Sequence, residues 1–370
     1  MPLILTEEQK LLAQTVRRFV GRRTPLTAVR ELLSGGRSHD PEVWQQISGE
    51  LGLTGFLVPD EYGGSGGTLG DLSVALRALG GGLVPSPLLA SGVLAAGLLV
   101  ELDDKSVKHE WLPRLASGEA IGALATTEPG AGAFIPALPT TRATQVGSAV
   151  VLSGTKTAVI SGADADVLLV QARTATGAGI YLVEASADGL TRHADRTVDL
   201  TASSATVTFD ATPAVEVAGD TVAALDRIVD LANVAIASTQ SGALEACLTM
   251  TTDFAKTRYT FGQPIGAYQG VKHKLADMYN LWALSDAALR AAVRAAEEEP
   301  ERFAAAAAAA RSLTSAGYLS AAKDTMLLHG GIGCTWDHDA HLYYRNAIAG
   351  NVLAGSADDL HDRIADKLGI

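Results

Sequence analysis

Cysteine is nearly absent: Cys247 and Cys334 are the two in 370 residues. Two isolated cysteines give no disulfide framework and no metal-ligand spacing, so both read as small buried hydrophobes of a reducing cytoplasm. Positive charge is short as well. Against 29 Lys and Arg stand 41 Asp and Glu, a formal net charge of −12. A chain this acidic is a poor general nucleic-acid binder. An anionic ligand stays open to it, because local Arg placement decides that. The opening residues, MPLILTEEQ, lack a basic segment followed by an apolar one, so no secretory signal is expected. Residues 81–100 are uncharged and mostly apolar, near the length of a bilayer span. Pro85, Ser86, Pro87 and Ser91 break that stretch and no basic flank anchors it. It is expected to be a buried helix beginning near Pro87, with no membrane span.

What is present divides into three textures. Thr6-Glu7-Glu8-Gln9 is a capping-box pattern, followed by Leu11, Leu12, Val16, Phe19 and Val20 at helical spacing. Helical patterns recur at 42–51, 69–79, 87–102 and 107–115, so residues 1–120 are expected to be all-helical. From Ile121 the pattern shortens to β-rich runs at 149–152, 157–161, 167–172, 179–183 and 205–209 between Gly, Asp and Thr clusters. These predict a small β-domain over 121–218. From Asp220 long helical periods return, to about Arg258, then Tyr268–Glu298 and Arg302–Leu328, with two short helices near 339–347 and 357–368. Long antiparallel helices with short links predict a C-terminal four-helix bundle over 219–370. The fold class is α+β.

The segment RYTFGQPIGAYQGVKHKLADM, Arg258 to Met278, carries the first chemical signal. One helix ends at Arg258, the chain turns through Gly262, Pro264 and Gly266, and a new helix starts near Tyr268. A cation beside a fresh helix N-terminus suits a phosphate or pyrophosphate. A Gly- and Pro-fixed loop, TTEPGAG (Thr126–Gly132), opens the β-domain and can turn backbone N–H groups toward a ligand.

These phrases resemble the acyl-CoA dehydrogenase family. The resemblance rests on Arg258, Phe261, Gly262, Pro264 and Ile265, then Gln269, Leu275, Ala276, Asp277 and Met278. It continues in GLTGFLVPDEYGGSGG, WLPRLASGE, TTEPGAG, Ser153–Asp166 and HGGIGCTWDHDAHLYYRNA, and so covers nearly the whole chain. It implies the helical, β, helical order already read from the pattern. It further implies FAD, an acyl-CoA thioester substrate, an electron-transfer acceptor and usually a dimer of dimers. By resemblance, Arg258, Phe261, Gln269, Gly330 and Gly331 would serve a neighbouring subunit's FAD, and Thr127 and Gly132 would touch a flavin.

The departures fall at the redox centre. Ala133 and Phe134 replace a Ser-Asp pair, Ala158 replaces an aromatic residue, Ile160 a hydroxyl and Leu327 a Gln. The catalytic Glu falls at Ala354 in the phrase LAGS, and the alternative Glu of some members falls at Ala232. Neither can take a proton. Asp230 and Glu245 are the nearby acids on the same long helix, and Asp358 and Asp359 read as first-turn helix acids. His338 and His341 lack a third metal partner, and no metal is expected. The pattern is similar to the subunit without the catalytic Glu in actinobacterial α2β2 acyl-CoA dehydrogenases, which often act on steroid side-chain thioesters. The expectation is therefore a cytoplasmic heterotetramer whose homologous partner supplies the base. A self-sufficient homotetramer using Asp230 or Glu245, and a non-redox acyl-CoA-binding scaffold, remain as alternatives.

Overall fold

The computed structural model describes residues 5–175 and 177–370. Thr6 and Gln9 cap α1 (Glu7–Arg23) reciprocally, as the sequence pattern predicts. α2 (Leu26–Ser34) was not anticipated; it follows Pro25 and buries Val29 and Leu32. α3 (Pro41–Gln45) runs into a π-helical turn, Gln46–Glu50. α4 (Leu69–Gly81) follows, capped by Thr68 and Asp71. A π-helical run, Leu89–Ala95, then continues as α5 (Ala96–Glu101), and α6 is Lys105–Ser117. Val93, Leu94, Leu98 and Leu99 are at most 1% exposed, so the apolar stretch after Pro87 is a core helix. No helix among the described residues is long and apolar enough to cross a membrane.

The middle of the chain is a curled sheet. Its strands are β1 (Gly122–Ala125), β2 (Arg142–Val146), β3 (Ala149–Ile160), β4 (Val167–Arg173), β5 (Ala178–Glu184), β6 (Leu190–Ala194) and β7 (Ser204–Val217). β5 pairs with both β4 and β7, β7 pairs with β3, and β2 joins β3 to β4 at Arg142 and Arg173. The sheet therefore closes into a small barrel. β4 is buried on both faces, which explains its continuous apolar run. Leu168, Val170 and Ala172 face the barrel core, while Val167 and Leu169 join the core of the N-terminal helices. β3 unites two runs that look separate in sequence, because its register shifts between Leu152 and Gly154, where they part; a second bulge lies between Lys156 and Val159. Ala158 sits in that bulge with φ +51°.

α7 (Thr221–Thr257) begins at the Asp220 cap and spans about 55 Å at 1.5 Å per residue. After it come a tight hairpin, β8 (Tyr259–Thr260) and β9 (Gln263–Pro264), and then α8 (Gln269–Glu298), α9 (Pro300–His329), α10 (Ala340–Gly350) and α11 (Ala357–Leu368). α7 is the common wall. Its Leu225, Ile228 and Val234 enter the N-terminal core, and its Ala243, Leu244 and Cys247 enter the bundle core. Where α4 crosses it the backbones touch. A Cβ on Gly80 would lie 2.1 Å from the Thr239 carbonyl oxygen, and one on Gly242 would lie 1.8 Å from that of Arg77. Only glycine fits either position. The alanine run in α9 has the same logic, with Ala307, Ala308 and Ala310 fully buried. Cys247 is buried as expected, and burial pushes its thiol up to about 12. Cys334 corrects the expectation: it is exposed, because it lies in the turn that ends α9.

Candidate active site

A mostly apolar cavity of about 200 Å³ lies where the three parts of the chain meet. α4 gives it Leu79, β3 gives Ile160, α7 gives Ile236 and Gln240, α10 gives Asn346, and Leu353 closes it. Asp199, in the β6–β7 connection, is the one acidic side chain in its wall. Its two oxygens are well supplied. Oδ1 accepts from the Thr201 N–H at 2.8 Å and the Thr201 hydroxyl at 2.7 Å, and Oδ2 accepts from Asn346 Nδ2 at 2.9 Å. Burial pushes the carboxyl up, while these donors oppose the shift. Asn346 in turn accepts from the Tyr318 hydroxyl, so the connection is tied into the bundle.

Behind the cavity stands Arg311, 1% exposed. It donates to the Gly350 carbonyl at 2.5 Å, to the Leu353 carbonyl at 3.1 Å and to Gln240 Oε1 at 3.1 Å. No carboxylate among the described residues pairs with it, and burial lowers it to about 10. It holds the turn that carries Leu353 and Ala354. Sequence reasoning missed Asp199, Gln240 and Arg311. The only signals were an Asp-x-Thr turn pattern at Asp199 and an unbroken polar block, Ser238 to Ser241, inside a long apolar helix.

The sequence-predicted acids lie elsewhere. Ala354, at φ +55°, is half-buried in the turn before α11, and Ala232 is 1% exposed in the core. Asp230 is paired with Arg363 of α11 at 2.6 Å. Glu245 lies between Arg17 at 3.5 Å and Arg77 at 3.7 Å. None of the four lines the cavity. Asp358 and Asp359 occupy the first turn of α11, where Asp359 closes a capping box with Ser356.

Arg258, Phe261, Gln269, Gly330 and Gly331 are all exposed at one end of the bundle. Arg258 ends α7 and its carbonyl accepts from the Ile265 N–H, closing the hairpin. Its guanidinium has no hydrogen bond or ion pair among the described residues. Phe261 is 92% exposed at φ +49°, and Gln269 starts α8. Phe254 stacks on His329 at 4.3 Å, which brings the start of the Gly330–Gly331 turn to the same end. A Cβ on either glycine would meet nothing within 4 Å, so the backbone there is open to a ligand. His338 and His341 part ways: His338 stacks on His329 at 4.4 Å, and His341 packs against Trp336.

Thr127 lies apart, in the loop after β1. Its hydroxyl is spent on the Phe134 carbonyl, and its own carbonyl accepts from the Thr157 N–H. A buried ion pair anchors this loop. Lys156, fully buried, donates to Glu128 Oε1 at 2.8 Å and to the Thr126 carbonyl at 3.0 Å. Glu128 also accepts from the N–H groups of Thr140 and Thr141. Beside the loop, Ala158 offers an exposed methyl and Ile160 an apolar edge.

Models of the acyl-CoA dehydrogenase N-terminal, middle and C-terminal domains match residues 6–119, 123–211 and 223–369. The acyl-CoA dehydrogenase IpdE2 of Mycobacterium tuberculosis is 30% identical over 98% of both chains. The chain belongs to the acyl-CoA dehydrogenase family. Two solved structures extend the likeness. A variant of the Tcur3481-Tcur3483 steroid acyl-CoA dehydrogenase superposes with a TM-score of 0.88 at 31% identity, over 98% of each chain. The ChsE4–ChsE5 complex of Mycobacterium tuberculosis gives 0.90 at 29% identity, over 100% of this chain and 99% of that one. The three-domain order of this oxidoreductase family is the order of helices, barrel and bundle described above.

Proposed function

We propose that the chain is the subunit of a heteromeric, FAD-dependent acyl-CoA dehydrogenase that does not supply the catalytic base. The observation that carries this reading is the split between its two ends. The bundle end presents an unpaired guanidinium, an exposed ring and an open glycine turn, fitted to the phosphates and adenine of FAD bound mainly by a neighbour. The two usual acid positions carry only methyl groups, at Ala354 and Ala232, and the one acid of the cavity wall is held by three donors. This chain's own sheet offers the cofactor little, since Thr127 is already bonded and Ala158 and Ile160 have no polar groups.

FAD, when bound, accepts the hydride that leaves the β-carbon of the thioester. Removing the weakly acidic α-proton needs a desolvated carboxylate with a free lone pair. The homologous partner supplies it, in an α2β2 assembly. This chain's residues then bind and orient: Arg258 and Gln269 hold FAD phosphate and adenine groups of the partner's site, with Phe261, Gly330 and Gly331 around them. The family likeness to a steroid acyl-CoA dehydrogenase supports a bulky substrate. At about 200 Å³, below the usual ligand-pocket range of roughly 300–1,000 Å³, this chain's own cavity is small for such a molecule, in keeping with a substrate held by the partner.

Co-expression with a homologous, Glu-bearing acyl-CoA dehydrogenase tests the reading. A stable complex that binds FAD and reduces a dye with acyl-CoA is expected. The chain purified alone should do neither, and stoichiometric FAD with turnover in the lone chain overturns the proposal. Asp199 favours one rival, a self-sufficient enzyme using an acid that the sequence did not reveal; its replacement is considered below.

A further inference from the structure

Three aromatic rings stack where the bundle ends. Phe254 of α7 lies against His329 at 4.3 Å, and His329 lies against His338 at 4.4 Å. The stack ties together the pieces of that end. The Phe254 carbonyl accepts from the Arg258 N–H at 2.8 Å, which closes the last turn of α7. His329 is the last residue of α9, directly before Gly330 and Gly331. His338 anchors the start of α10, where its Nδ1 accepts from the Ala340 N–H at 3.1 Å.

Hydrogen bonds fix the protons of both imidazoles. A carbonyl can only accept, so His329 Nδ1 carries a proton and donates it to the Thr325 carbonyl at 2.7 Å. His329 is 5% exposed, and its Nε2 is buried with no hydrogen-bond partner. A second proton there would make a buried N–H without an acceptor, on a cation lying against another imidazole. His338 accepts at Nδ1 and so holds its own proton at Nε2. The charged groups of the neighbouring elements are committed elsewhere or exposed. Asp253 of α7 pairs with Lys256, Asp324 of α9 with Lys274 of α8, and Asp339 with Arg30. Arg345 lies over the Trp336 ring and His341 against its edge, while Arg258, Lys323, Cys334 and Asp337 are exposed. Burial pushes the His329 imidazole below its ordinary 6.5; the Thr325 bond opposes this and His338 adds to it.

We propose that His329 is a positioning residue for the partner's FAD: as a neutral ring between Phe254 and His338 it sets the spacing of Arg258 and the Gly330–Gly331 turn, and charging it releases both. This rests on the reading of the bundle end given above and adds a dependence on pH to it. Arg258 and the glycine turn come from two helices, so they grip one ligand only while the ends of α7 and α9 keep their distance. The ring stack is what spans that distance. An opened end takes up the proton that the closed stack excludes, so acid favours opening.

The test follows the purified assembly from about pH 7.5 to about pH 5 with two readouts. Protection factors at the Arg258, Thr335 and Ala340 amides, from hydrogen exchange, should fall by up to about tenfold per pH unit below about 6.5. FAD affinity, from flavin fluorescence, should fall with them. His329→Phe keeps a ring between Phe254 and His338 that cannot be charged, and should flatten both profiles. His329→Ala, checked for folding by circular dichroism, should lower protection at these amides at every pH, because the stack is gone. A wild-type protection profile that stays level across this range sinks the inference alone. So does a His329→Phe profile as steep as that of the wild type, which would assign the titration to another group. If protection behaves as expected while FAD affinity ignores it, the bundle end grips no FAD, and the functional reading fails together with the inference.

Discussion

Replacing Lys156 by Met tests the loop that would face a flavin. Lys156 is fully buried and Glu128 is 3% exposed, with 2.8 Å between the charges. Burial is the largest influence on each. It drives the ammonium down from 10.5 to about 8, even against the pull of Glu128. It would raise the Glu128 carboxyl, but hydrogen bonds from Lys156, Thr140 and Thr141 win, and the carboxyl falls from 4.5 to about 2. The two shifts act on stability with opposite signs, and buried pairs generally add little net stability. Breaking it is another matter. Lys156→Met leaves a buried carboxylate with only hydroxyl and amide donors, at a cost of roughly 3–5 kcal/mol.

The assay is native-state hydrogen exchange at the Thr140, Thr141 and Thr157 amides, which close this loop. Their protection should fall by roughly two to four powers of ten. The double variant Glu128→Gln, Lys156→Met should recover much of it. The pH dependence has a definite sign. In the wild type the Glu128 contribution is complete above about pH 4.5 and is lost as pH falls toward 2. Lys156 acts in the alkaline window: between about pH 8 and 10.5 the unfolded chain holds more protons, so stability rises with pH. In Lys156→Met the lone carboxyl is raised by burial, so its defect should shrink on acidification. A defect below about 1 kcal/mol, or one that grows in acid, refutes the assignment of the pair as the loop's anchor.

Arg363→Ala should destabilise the bundle by roughly 3–5 kcal/mol, because Asp230 is buried against α11 and burial already raises its carboxyl. Adding Asp230→Asn should restore a large share, measured by denaturant unfolding. In the reconstituted assembly, Asp199→Asn should keep kcat within about tenfold; a fall of about a thousandfold with unchanged thioester affinity makes Asp199 the base instead. Arg258→Ala should leave unfolding unchanged, since the side chain is exposed and unpaired. It should weaken FAD retention by the assembly about 10- to 100-fold, read from flavin absorbance after gel filtration.

Long, capped helices were legible because their signals are local and redundant. Thr6 with Gln9, the Asp220 cap and the glycine turns after α7 each announce a boundary within a few residues. β2 and β6 were not legible, since exposed edge residues leave little apolar alternation to read. The register shift between Leu152 and Gly154 hid the continuity of β3 for a related reason: one extra residue breaks the period of two. The bundle-end residues were found because they sit close together along the chain. The cavity was not, because Asp199, Gln240, Arg311 and Asn346 come from four separate segments and meet only after the barrel docks on the bundle.

The block Ser238 to Ser241 shows what kind of signal was available and why it was passed over. Four successive polar residues on a helix cover every direction, at about 100° per residue. On a helix that is buried on several faces, some of them must point inward and find partners. Ser238 bonds Ser73 across the α4 crossing, and the Thr239 carbonyl meets the space left by Gly80. Gln240 reaches the other way, to Arg311. The two sides of α7 therefore serve different ends. Toward α4, Ser238 and the glycines fix the distance between helices, whereas on the other side Gln240 accepts from Arg311 and Ser315. The block is thus a joint: one side spaces α4, and the other ties the turn carrying Leu353 to α7 through Arg311.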